Sequence, residues 1–355
     1  MLFYIIIASV IFWFGYLKNS KKRYMFSILL LFALTACRAW RLGGTDAQIY
    51  HSYFVNAISP DIFLTSDYGI AYTLLNYIIR LFTENYYVFQ FIYAAISFFI
   101  LHLVLNKLDI SWSEKCVLLF SYFCLRFFYN EWIALRQNLA NLLFWYFLIC
   151  IYQCEKKKRI KQIVLIICAI AVPYMFHSSA LLNIGLMFGV WGLSKLRMET
   201  KAILVPIVAF ALRATGSRFL APAITFMTSY ISDRYEMYSG SGELGSNFIY
   251  FILRLMFFIF FCYRYYQDES KTRNAVFDIF GMMLMVAAID LEIVSRVFEY
   301  YAIGLYAAIG TFLQSFNDRS KNLAALIFYI CMIFILVHFL NSFTSPSFIP
   351  YQFWS

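Results

Sequence analysis

Charge is scarce in this chain. Only 14% of its 355 residues are charged, against 63% apolar, and acids number 19 to 29 bases. Soluble domains keep about a quarter of their residues charged, so an ordinary globular enzyme is excluded. Histidine is rarer still, at 4. His51, His102 and His338 show no metal-ligand spacing. Walker-type glycine loops and nucleophile motifs are missing, and so is any nucleic-acid module. The 8 cysteines lie mostly in apolar segments. Cys150 and Cys154 have no neighbouring His or further Cys to complete a metal site, and no disulfide framework is evident. They read as small buried hydrophobes. No internal repeat of the inverted-transporter kind is found.

Long apolar runs take the place of charge. Residues 2–17, 88–105, 133–151, 163–176, 248–262 and 322–340 approach the roughly 20 residues that span a bilayer. Mean hydropathy is +0.70. The first run has neither a basic leader nor a small-residue cleavage site, so it reads as a retained span. The pattern predicts an all-α polytopic membrane helix bundle, a single domain over 1–355, with about twelve spans. Outer loops are expected near 38–67 and 213–247, with short amphipathic helices on the outer face. One of these helices, near 68–82, holds Arg80 and is expected to lie in the interface or re-enter. The last two expected spans are 300–316 and 322–340, and the region 202–228 is the weakest of the reading.

The basic residues divide by type. All thirteen lysines can be placed on one side of the membrane, as the positive-inside rule requires of the cytoplasmic face. Arg38, Arg41, Arg126, Arg136, Arg213, Arg218, Arg234 and Arg296 then fall on the other side, where that rule predicts nothing. Arginine presents a planar fork of donors matched to phosphate and carboxylate, and it stays charged when partly dehydrated. Surface chemistry on an anionic lipid is one use for such a face.

Four constellations carry this signal. Arg38 and Arg41 precede Gly43, Gly44, Thr45, Asp46 and Tyr50, either as interfacial anchors before a helix capped by Thr45 or Asp46, or as a phosphate clamp beside a candidate base. Arg126, Asn130 and Glu131 lead into Arg136, Gln137, Asn138 and Asn141, where a span begins polar and turns apolar. Polar groups at membrane depth line cavities or bond to each other, so Asn138 and Asn141 are candidates for sugar hydroxyls or for interhelical bonds. His177 sits in the hairpin Phe176-His177-Ser178-Ser179-Ala180, structural or proton-transferring. Asp290, Glu292, Arg296, Glu299 and Tyr300 form the fourth, with Glu292 and Arg296 spaced as an i,i+4 helix pair.

Together and in this order, the motifs resemble the EpsG family, close to the Wzy-type polymerases of bacterial surface polysaccharides. The matching residues are Arg38 or Arg41 with Gly44-Thr45-Asp46 and Tyr50, and Asp67-Tyr68-Gly69 before Leu74-Leu75-Asn76. Arg136-Gln137 with Leu139-Ala140, Phe176-His177 with Ser179-Ala180, Arg296 with Tyr300, and the closing Pro350-Tyr351 complete the set. Asp67 stands where that family usually has Glu, and the segment 213–247 has no counterpart.

The resemblance implies a membrane glycosyltransferase that polymerises undecaprenyl-diphosphate-linked oligosaccharide units for O-antigen, capsule or exopolysaccharide. It would sit in the bacterial cytoplasmic membrane, with its site facing the periplasm or the cell exterior. Asp46, Glu131 and His177 compete for the catalytic base. Arg38, Arg41, Arg136, Gln137, Asn138, Asn141, Arg296 and Tyr300 would bind substrate, with no metal and no cofactor. Membrane lipid, a chain-length regulator and a flippase are the partners of such an enzyme. A flippase or transporter of the same lipid, or a membrane O-acyltransferase of surface sugars, are the competing classes.

Overall fold

A computed structural model describes residues 1–17, 19–42, 44–65, 68–155, 158–231, 248–265, 270–289, 297–342 and 351–352. Helix accounts for 84% of it, and no strand occurs among the described residues. The helices are α1 (Leu2–Leu17), α2 (Lys21–Ala36), α3 (Gly44–Val55), α4 (Ile62–Thr65), α5 (Ile70–Phe82), α6 (Tyr86–Lys107), α7 (Trp112–Leu125), α8 (Leu135–Gln153) and α9 (Arg159–Tyr174). They continue with α10 (Asn183–Leu193), α11 (Met198–Ile231), α12 (Phe248–Arg264), α13 (Lys271–Ala287), α14 (Ala302–Gly310) and α15 (Asp318–Ser342). Local chemistry marks several starts. Asn85 accepts from the Tyr87 N–H at 2.9 Å to open α6. Ser111 and Glu114 close a reciprocal capping box on α7.

The chain packs as two compact units. The first comprises residues 1–146, 171–177 and 309–355; the second comprises 147–170 and 178–308. In the first unit α1 lies close against α7. A side chain at Gly15 would meet Val117 Cγ2 at 2.9 Å, so only glycine permits that approach. Phe12 of α1 packs on Phe120 of α7 and Tyr329 of α15, with ring centroids 5.0 and 5.1 Å apart.

Two helices are long and apolar enough to cross a bilayer by length and composition, Tyr86–Lys107 and Ser320–Asn341, with mean hydropathies of 2.2 and 2.7. The expected twelve spans are not reached by that measure. The physical reason is where polar residues cut helices short. α7 has 14 residues and ends at Arg126, and α9 has 16 and carries Pro173 near its end. The surfaces nevertheless call for an apolar solvent. On α15, Leu323, Leu326, Ile330 and Phe334 are exposed, a continuous stripe that water would penalise. At 13 residues α5 measures about 20 Å, too short to cross. It buries Tyr72, Asn76 and Ile79 while turning Ile70, Leu74, Ile78 and Leu81 outward, which suits a helix lying in the interface.

One boundary differs from the sequence reading. The segment from 213, read as an outer loop, continues as helix, because α11 runs 34 residues to Ile231. Its polar residues, such as Thr215, Ser217 and Arg218, do not end the helix. Residues 232–247 lie outside the described residues.

In the second unit Lys201 of α11 meets Asp278 of α13 at 2.5 Å, both almost fully buried. The Tyr152 hydroxyl of α8 donates to the other oxygen of Asp278 at 3.3 Å. Lys201, one of the thirteen lysines expected to mark orientation, is an internal ion partner. Asp278→Asn should therefore lower folding stability by about 3–5 kcal/mol, because it leaves an uncompensated ammonium inside. The measurement is thermal unfolding in detergent micelles, with Lys201→Met/Asp278→Leu recovering much of the loss.

Candidate functional site

The site is built at one end of the first unit, where α2 ends. Its last carbonyls lack helical partners, as at any helix terminus. Gln90 of α6 supplies the donor: its amide nitrogen reaches the carbonyls of Thr35, Ala36 and Arg38 at 3.0, 3.0 and 2.9 Å. The Ala39 N–H donates to the Gln352 carbonyl at 2.7 Å, and the Tyr351 hydroxyl donates to Leu34 at 3.1 Å. The closing Pro350-Tyr351 motif thus contributes Tyr351 to the Arg38 turn, while Pro350 lies outside the described residues.

Arg38 points inward. It is 2% exposed, its guanidinium donates to the Trp40 and Leu42 carbonyls, and it lies 5.2 Å from the centre of the Trp132 ring. Burial pulls its pKa down to about 10, which leaves it a cation at neutral pH. Arg41 is exposed and stacks over Trp40 at 5.3 Å. Trp40 in turn stacks on His51 with centroids 4.3 Å apart. Partial burial, with Arg41 nearby, holds the His51 imidazole below its usual range and hence neutral at pH 7.

The expected helix forms as α3, but it begins at Gly44, so Thr45 and Asp46 lie inside it and not at its N-cap. That places Asp46 within the first turn, where a carboxylate is favoured by the helix dipole. One turn later comes Tyr50. Its phenol lies within hydrogen-bonding reach of Arg136 and feels both Asp46 and Tyr68. Burial pushes the Tyr50 phenol up, with Arg136 opposing, so it remains protonated. Arg136 is half-buried at the start of α8, with its guanidinium 4.1 Å from the Tyr68 ring centre. Asp46, Tyr50, Tyr68 and Arg136 are therefore one cluster. It rests on a shared apolar floor of Tyr50, Phe54, Tyr72, Phe89, Leu135 and Leu139, with Phe176 packed against it.

The Tyr68-Gly69 element and the Phe176-His177 hairpin also meet. The Ala71 N–H donates to Met175 at 2.8 Å. A Cβ on Gly69 would lie 2.4 Å from that carbonyl oxygen, closer than any side chain allows. His177 is buried at 7% exposure. Asp67 lies outside the described residues.

Glu131 sits in a short π-helical turn, Tyr129–Ile133, and is fully buried. It accepts from the Ser97 hydroxyl at 3.0 and 2.9 Å and from the Tyr122 hydroxyl at 2.9 Å. Arg38 lies near enough to act on its charge. The amide nitrogen of Asn138 donates to Tyr93 at 3.0 Å and Ser97 at 3.1 Å. Asn138 thus takes part in the interhelical bonding weighed above as one of its two readings. Gln137 is buried too. Asn141 differs: it is fully buried, and neither polar atom of its side chain has a hydrogen-bond partner among the described residues. Sequence reasoning passed over Gln90, Tyr93 and Ser97. Their spacing of three and four on an otherwise apolar helix was the available signal.

The fourth constellation is divided. Asp290, Glu292 and Arg296 lie outside the described residues. Tyr300 is fully buried in the second unit, its hydroxyl 3.1 Å from that of Ser179, so the hairpin motif and the late tyrosine are joined.

An all-helical membrane protein with forked cations and a carboxylate gathered at one end is the class defined so far. The EpsG family model matches residues 21–353, nearly the whole chain. The chain belongs to the EpsG family, which is associated with exopolysaccharide biosynthesis and polymerase-like activity. No curated protein and no solved structure matches it.

Proposed function

We propose that the protein polymerises surface polysaccharide by joining undecaprenyl-diphosphate-linked oligosaccharide units at the outer leaflet of the bacterial cytoplasmic membrane. The observation that supports this most is the cluster in which Arg136, braced by Tyr68 and Tyr50, shares its surroundings with Asp46. A hydroxyl oxygen of the acceptor unit attacks the anomeric carbon of the donor chain. The bond from that carbon to the diphosphate oxygen breaks, and the leaving diphosphate keeps the electron pair. The hydroxyl proton passes to a base.

In this reading Arg136 and the exposed Arg41 grip the diphosphate, whose charge grows as it departs. Asp46 takes the proton, because it is partly exposed and adjoins the cluster. Glu131 has its carboxylate held by Ser97 and Tyr122, so it acts with Arg38 as a positioning pair for the π-helical turn before Arg136. Asn141 supplies amide groups for a sugar. His177, Gln137, Arg296 and Tyr300 complete the family motifs without an assigned step.

The test uses purified full-length protein with a lipid-linked repeat unit and no nucleotide. A ladder of products on undecaprenyl diphosphate is expected. Unchanged single units that only cross from one leaflet to the other would replace this reading with that of a flippase.

A further inference from the structure

The opposite end of the first unit holds a second cluster of cations that the reaction does not use. α2 begins there with Lys21-Lys22-Arg23 and has no acid in its first turn. Its N-cap, Ser20, makes no side-chain cap hydrogen bond. Three bases at the positive end of a helix dipole are opposed by that dipole, and the first N–H groups of the helix go without a side-chain acceptor. The neighbouring helix α7, by contrast, opens with a complete capping box.

Lys115 of α7 adds to this charge. It is 5% exposed, and its ammonium lies 4.2 Å from the centre of the Trp112 indole. Lys21 lies over the same indole at 5.8 Å. One Arg23 nitrogen, Nη1, is buried without a hydrogen-bond partner, and among the described residues Lys21, Arg23 and Lys115 form no ion pair. Asp109 and Glu114 lie near enough to act on the Lys115 charge without forming an ion pair with it, and one Glu114 oxygen is held by the Ser111 N–H at 2.7 Å. Positive-inside orientation explains exposed lysines; it does not explain a lysine 5% exposed that makes no ion pair, or a buried arginine nitrogen without a hydrogen-bond partner.

We infer that the start of α2, with Lys21, Arg23 and Lys115, is a binding site for the phosphate of an anionic membrane lipid. The free helix N–H groups and convergent cations match a phosphate. Exposed Leu17 of α1 and Phe26 of α2 flank the site and offer a path for acyl chains. On the topology read from the lysines, this head group belongs to the cytoplasmic leaflet, the side opposite the proposed reaction. The inference does not depend on that reaction.

Native mass spectrometry of the full-length protein, titrated with phosphatidylglycerol or phosphatidylcholine, tests it. Phosphatidylglycerol should be retained more tightly, and Lys21→Gln and Lys115→Gln should each weaken its retention roughly fivefold, the effect of one cation near a lipid surface. Lys161→Gln, at an exposed position of α9, should change nothing. Exposed Lys21 keeps the test valid should Lys115→Gln fail to fold. Displacement of the lipid by inorganic phosphate at equal concentration would support the site but make a soluble phosphate its occupant. Equal retention of the two lipids by the wild type, or wild-type retention by Lys21→Gln, would overturn the inference.

Discussion

Arg136→Lys leaves the protein folded in the membrane and lowers synthesis of long polymer by about 10²–10³-fold, the size of effect seen when one transition-state donor is removed. The positive charge survives this substitution, so charge alone cannot account for such a loss. The change removes the planar fork that donates two parallel bonds to a phosphate, and with it the stacking on Tyr68. Lysine also lacks the shape that lets Tyr50 hold the group in place. Product length on gels, set against protein level in isolated membranes, separates lost chemistry from lost protein. Wild-type chain lengths in this variant would remove Arg136 from the reaction.

The second large effect separates two carboxylates. Asp46→Asn should reduce polymer formation by about 10²–10⁴-fold, the usual contribution of a positioned base. Glu131→Gln should stay within about tenfold of wild type, because an amide oxygen can still accept from Ser97 and Tyr122. Glu131→Ala is different. It strips the acceptor from both hydroxyls and leaves Arg38 facing an emptied site, so the yield of folded protein should fall. Initial rates of ladder formation for the two conservative variants decide the matter. Loss of activity in Glu131→Gln with retention in Asp46→Asn would exchange their assignments.

Much of this was legible in the sequence, and for identifiable reasons. Apolar runs and the split between lysine and arginine reported the membrane character, because bilayer insertion acts on composition. The motifs around Asp46, Tyr68, Arg136 and His177 were visible as ordered residue types, and packing gathers Asp46, Tyr50, Tyr68 and Arg136 in one unit. Other features depend on partners far away in the chain. Arg38 and Arg41, three apart, read alike as clamp residues, yet one is buried under Trp132 and the other exposed. Asp278 carried no local signal, since its meaning lies in Lys201 and Tyr152 on other helices. The extent of α11 is not legible locally, because the glycine, serine and charge after residue 213 suit a loop as well as a helix, and none of them prevents a helix from continuing.

The bond between Ala71 and Met175 joins segments roughly a hundred residues apart, so the nascent chain must wait for it. Until α9 has emerged from the ribosome, the aromatic floor beneath Tyr50 has no Phe176 to close it. A chain halted by a stop codon before residue 175 would carry that surface uncovered, a substrate for quality-control proteases rather than a partial enzyme.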